Sequence, residues 1–346
     1  MDFLILIEKI VAVPEVQYTL LLFSLFVIPK WLQRYRIPSA ITSLLLGLLA
    51  GVVFHLFPSD TTIDLLATFG IVAMFLFAGL EMDFVLIRRH WQPLAYHLGF
   101  QLLVMAILVW LGWLVFGLAI RPGIIFAMAI VTPSAGFIFD SLATLKVSAT
   151  EREWIKSTVL ATELMTLWLL FVVMQSTDVQ RLAISFGVLL GMMIILPIIF
   201  QVFAKWIVPH APKSEFAFLL MVAVVCSLIT RRLGVYYLVG AFVVGITAQI
   251  FQKHIPAIAS EKMLHAVEVF ASFFIPLYFF NAGKHFHSDE IDWSILGIGI
   301  LLTIVAVPIR IIQVVLHRKL ILKETFLTSR RIGVALLPTL VFTIVL

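Results

Sequence analysis

Apolar runs of about twenty residues follow one another along this chain, separated by short breaks at charged residues or at Pro and Gly clusters. A bilayer core of about 30 Å takes about 20 apolar residues to cross as a helix. The pattern predicts twelve membrane-spanning helices, near residues 14–33, 37–57, 62–83, 93–118, 122–145, 154–175, 181–204, 214–232, 234–252, 263–283, 293–316 and 326–346. No low-complexity tract, Ser/Gly linker or polar insertion interrupts them, so residues 1–346 read as one all-α polytopic membrane domain.

Charge orients the spans. With the N-terminus outside, the inner loops hold 17 of the 24 Lys and Arg residues and the outer loops six, leaving Arg310 within a span. The positive-inside rule therefore places the N-terminus outside. Composition agrees: 62% of residues are hydrophobic and 12% charged, about half the charged share of a soluble domain, which excludes that class. The net charge of +5 then reports topology in lipid and not a nucleic-acid partner. A single cysteine, Cys226, excludes a disulfide framework and a Cys-rich metal site. The start, Met1-Asp2-Phe3, lacks the basic segment and cleavage site of a signal peptide. At the other end the chain stops within apolar sequence, Thr343-Ile344-Val345-Leu346, so a further helix, and with it a cytoplasmic regulatory domain or subunit, is expected beyond Leu346.

Ionisable groups inside spans cost about 2.5–3.5 kcal/mol each on insertion scales, so each needs a reason. Glu163 lies near the middle of 154–175, and Arg310 in the middle of Leu301–Leu316, two residues after Pro308. A buried carboxylate can bind a proton or a cation in turn. Arg keeps its proton and can only hold an unloaded carboxylate or neutralise exposed dipoles. With no other fully charged group at that depth, Arg310 is expected to pair with Glu163.

Two spans also carry backbone breaks. Ala129-Ile130-Val131-Thr132-Pro133-Ser134-Ala135-Gly136 puts Pro133 at mid-membrane, and Gly333-Val334-Ala335-Leu336-Leu337-Pro338-Thr339 repeats the device. Proline removes a backbone donor from the helix interior. Interrupted spans at matching places in two halves point to a transporter site built from half-helix ends. With 181–204 as a linker helix, the broken spans are each the fifth helix of a half, about 14–175 and about 214–346. The halves are then inverted, and the second lacks its sixth helix.

These residues resemble the monovalent cation:proton antiporter-2 family, which includes sodium/proton and glutathione-gated potassium/proton exchangers. The marks are Ile37-Pro38 before Leu46-Gly47-Leu48-Leu49-Ala50-Gly51, then Phe75-Leu76-Phe77-Ala78-Gly79-Leu80-Glu81-Met82-Asp83. Thr132-Pro133-Ser134, Thr162-Glu163, Phe279-Phe280-Asn281-Ala282-Gly283 and Arg310 complete them. The resemblance implies a 13-helix inverted-repeat fold with two broken crossing helices, of which this chain has twelve spans, and a dimerisation domain, hence a homodimer. It implies exchange of Na⁺ or K⁺ for protons by alternating access in a bacterial inner membrane, with no cofactor. Glu163 takes the place of the family's ion-binding acid, with Thr162, Thr132 and Ser134 supplying further oxygens. Two departures stand out: the acid is Glu where the family has Asp, and Thr162 stands where the family has a carboxylate or carboxamide. The second favours electroneutral one-for-one exchange.

The remaining polar groups are read as follows. Glu81 and Asp83, beside Arg88 and Arg89, form a charge cluster at a helix end. Lys284 is expected to snorkel to the outer interface. Trp31, Trp91 and Trp293 mark interface belts. His285, His287, Asp289 and Glu290 are spaced poorly for a metal site. The alternatives from other classes are a ligand-gated channel or sensor on the same fold and, less favoured, a membrane-embedded enzyme. Nearly all histidines lie at span ends, and no Gly-x-Ser-x-Gly or His-Glu-x-x-His occurs.

Overall fold

The computed structural model describes residues 13–35, 37–135, 138, 142, 147–176, 178–234, 237–251, 260–286 and 292–339. Among these there is no strand. The helices are α1 (Pro14–Gln33), α2 (Ser39–Leu48, closing in a π-helical turn over Leu49–Val53), α3 (Thr61–Leu80), α4 (Phe84–Arg89), α5 (Trp91–Phe116), α6 (Ile120–Val131) and α7 (Ala149–Gln175). They continue as α8 (Val179–Trp206), α9 (Glu215–Arg232), α10 (Tyr237–Ile250), α11 (Glu261–Lys284), α12 (Trp293–Leu320) and α13 (Phe326–Ala335). Each of the twelve predicted segments holds one of them. The short α4 was not predicted: Asp83 starts it, its carboxylate accepting the Leu86 N–H at 2.9 Å. Among the described residues six helices are long and apolar enough to cross a membrane, and three shorter ones are apolar. The protein is an integral membrane protein.

Local chemistry sets the helix ends. Ser148 and Glu151 form a capping box at the start of α7, with Ser148 N–H donating to Glu151 at 2.7 Å and Glu151 N–H to the Ser148 hydroxyl at 3.3 Å. Asp178 and Asp292 cap α8 and α12. Gly117, in the left-handed region at φ 65°, ends α5.

The chain divides into two compact units, Met1–Ile71 with Val269–Glu290, and Val72–Glu268 with Ile291–Leu346. The first has a core of Leu21, Leu25, Ala50, Ile63, Leu277 and Phe280. Here Gly47 lies so close to the backbone of Phe280 that a Cβ would collide with it. Lys284 departs from expectation: its side chain is 4% exposed, and its Nζ lies 3.7 Å from Asp64. Lys284 ends the stretch of α11 that abuts α2 at Gly51, so its stem leaves the crossing inward and an acidic partner within the unit replaces the headgroups.

In the second unit α5, α6 and α7 pack around Met105, Leu108, Ala127, Met128, Val131 and Leu170. α3 and α10 approach until their backbones touch, and a Cβ on Gly245 would strike Leu76 O and Gly79. This contact explains Gly79 in the Gly-Leu-Glu-Met-Asp string. Glu81, next along it, pairs with Lys156 of α7 at 3.2 Å.

Candidate functional site

The second unit contains both predicted breaks. α6 stops at Val131, Thr132 is extended (φ −75°, ψ 120°), and helical bonding resumes with Ile138 N–H donating to Ser134 O at 3.0 Å. α13 likewise stops at Ala335, with Leu336 at φ −90°, ψ 4°. The two interrupted stretches meet, because Ser134 N–H donates to Pro338 O at 2.8 Å across 204 residues of chain. Pro133, buried, and Pro338, half-buried, thus sit in facing irregular segments, backbone that a membrane tolerates where protein covers it.

Glu163 lies on α7 beside this junction. It is 2% exposed, and the backbone N–H of Ala135, from the restart after the first break, bonds its carboxyl group. Its Oε2 has no hydrogen-bond partner among the described residues. One turn along α7, the Thr166 hydroxyl shares a 3.1 Å hydrogen bond with Thr132. The Ser134 hydroxyl is buried and also lacks a partner among the described residues. Thr132, Ser134 and Glu163 are therefore brought together. The Thr162 hydroxyl donates to Thr158 O of its own helix at 2.7 Å.

Arg310 corrects the sequence expectation. It does not pair with Glu163, and no described carboxylate lies within ion-pair distance of it. Its guanidinium donates to Leu336 O at 2.7 Å and to Leu337 O, the two carbonyls just past the end of the broken α13. The physical reason is local: a helix that stops in the protein interior leaves carbonyls without partners and a partial negative charge. A planar fork of donors matches two adjacent carbonyls.

Sequence reasoning missed Gln101 and Gln313. Gln313 donates to Gln101 Oε1 at 2.5 Å, and Gln101 Nε2 donates to Val131 O at 3.2 Å, the last residue of α6. Their signal was present as uncharged polar residues within apolar runs, with Gln313 one turn from Arg310. His97 and His317, placed near span ends from sequence, are buried, their rings 5.1 Å apart. The expected outer-loop group is represented by His285 alone, which bonds Asn281 O; His287, Asp289 and Glu290 lie outside the described residues.

Two helices that break off at Val131 and Ala335 and meet beside a buried acid match the half-helix arrangement of secondary transporters. The comparisons carry this further. A family model, "Sodium/hydrogen exchanger, transmembrane", matches residues 20–346. The chain belongs to that family, which is one of exchangers and not of enzymes.

Among curated relatives, a probable Na(+)/H(+) antiporter 3 of Methanocaldococcus jannaschii is 25% identical over 279 residues, spanning 77% of this chain and 70% of that protein. An Na(+)/H(+) antiporter of Enterococcus hirae is 27% identical over 302 residues, spanning 81% and 75%. The solved sodium proton antiporter MjNhaP1 of M. jannaschii at pH 8 superposes with a TM-score of 0.67 at 14% identity, covering 97% of this chain and 85% of its own. That likeness is one of fold.

Proposed function

We propose that this protein exchanges Na⁺ for protons across the bacterial cell membrane by alternating access, with Glu163 as the shared site. The observation that carries the reading is the unsatisfied carboxylate oxygen of Glu163 at the junction of two broken helices. A buried charge without a full set of partners is costly, and either a proton or a cation relieves it. Thr132 and Ser134 oxygens, with carbonyls of the unwound stretch, complete a cation shell. Competition for one carboxylate couples the two fluxes, because moving the site empty and charged carries a desolvation cost that loaded states avoid. The names of the relatives favour sodium over potassium. A single carboxylate, with Thr162 preceding it, favours one-for-one exchange. The N-terminus lies outside, and the working form is a homodimer.

Glu163→Gln in proteoliposomes tests this. Cation-dependent proton movement is expected to disappear while the protein stays folded, and exchange at the wild-type rate would remove Glu163 from the mechanism. Glu163→Asp keeps the charge and shortens the reach by one methylene, so it is expected to retain exchange at altered cation affinity.

A further inference from the structure

The seam between α5 and α12 is polar where Pro93, His97 and Gln101 face Gln313 and His317, on two otherwise apolar helices. Gln101 meets Gln313, His97 meets His317, and the ring of His317 lies 2.9 Å from Pro93 O. Apolar side chains would seal these faces at less cost, since each buried polar group must find a partner. The upper rung has a distinct geometry. Gln101 uses both ends of its amide: Oε1 accepts from Gln313, and Nε2 donates to the terminal carbonyl of α6. Gln313 lies three residues after Arg310, which holds the two carbonyls just past the end of α13. One helix, α12, therefore grips both half-helix ends, α13 directly and α6 through Gln101. Between the two grips is a cavity of about 20 Å³ lined by His97, Gln101, Pro133, Arg310, Gln313 and Leu336, room for one water.

We infer that Gln101 and Gln313 are positioning residues for transport, forming a clamp that fixes the Val131 end of α6, and with it Thr132, at the distance from Glu163 that cation binding needs. The inference rests on the reading of Glu163 given above. An amide suits the task because it donates and accepts at once without charge. It therefore does not compete for the proton or cation that the carboxylate takes. The clamp contributes nothing to protonation itself; its effect falls on the cation.

The test measures Na⁺-driven proton movement in proteoliposomes over a range of Na⁺ concentrations for Gln101→Met, Gln313→Met and the double variant. Gln101→Met frees the Val131 carbonyl and is expected to raise KM for Na⁺ about tenfold with Vmax little changed, the effect of one buried group losing its partner. Gln313→Met leaves the Gln101–Val131 bond in place and removes its support, for an increase of about threefold on the same scale. The double variant is expected to match Gln101→Met, because both act through one carbonyl.

Unchanged KM in both single variants overturns the clamp, as does a lowered melting temperature with KM intact, or additive effects in the double variant. If Gln101→Met does not fold, Gln313→Met decides alone. Glu163→Gln separates the two claims. Loss of exchange there with unchanged KM in the glutamine variants sinks the clamp only, whereas retained exchange sinks the site reading itself.

Discussion

Replacing Arg310 by alanine removes the guanidinium that, among the described residues, donates to the buried Leu336 O and the half-buried Leu337 O. Each buried acceptor left without a donor costs about 1–3 kcal/mol, so the pair costs about 2–6 kcal/mol. Some of this is offset because a guanidinium no longer has to be desolvated. A net loss of about 3 kcal/mol, at about 2–4 °C per kcal/mol for a chain of a few hundred residues, lowers the melting temperature by about 6–12 °C. Arg310→Lys keeps the charge but presents a point donor in place of a planar fork, so it holds one carbonyl and shows about half the loss. The assay is thermal unfolding in detergent alongside the pH dependence of exchange. A melting temperature equal to wild type in Arg310→Ala, with the pH profile displaced, would refute the capping role and return Arg310 to direct service of Glu163.

Two further outcomes follow from packing and capping. Gly245→Val pushes a branched side chain into the backbone of Leu76 and Gly79, so it is expected to prevent folding, checked by size-exclusion chromatography, whereas the same change at Gly187, where a Cβ meets nothing within 4 Å, is tolerated. Asp60 starts α3 from outside the membrane. Burial opposes its ionisation, but the Tyr18 hydroxyl at 2.6 Å and the Ile63 and Thr62 amides outweigh it and hold the carboxyl below the usual range. A lowered pKa gives stability that is complete above the unfolded value of about 3.9 and lost only as pH falls through the folded one. Asp60→Ala is therefore expected to cost about 1 kcal/mol, the same from pH 5 to 9, as read from melting curves across that range.

Each of the twelve predicted segments holds a helix, six of them long and apolar enough to cross a membrane, because lipid offers backbone groups no partner and forces each long apolar run to satisfy its own hydrogen bonds. The two breaks were legible for the same reason: Pro133 and Pro338 cannot donate, and α6 and α13 stop at Val131 and Ala335, just before them. The burial of Glu163 was legible too, as a charge in the middle of an apolar run.

Partners were not. Whether Arg310 meets a carboxylate or a carbonyl depends on how α12 is rotated and what lies across from it, and the carbonyls it holds are 26 and 27 residues further on. Lys284 looked free to snorkel until the packing of α11 on α2 turned it toward Asp64. Gln101 and Gln313 stand 212 residues apart, and each alone is one uncharged polar residue in an apolar run. An apolar pattern specifies that a helix is buried in lipid or protein but carries no record of which neighbour each face meets. Tertiary packing alone decided that the amides, and not the charges, hold the end of α6.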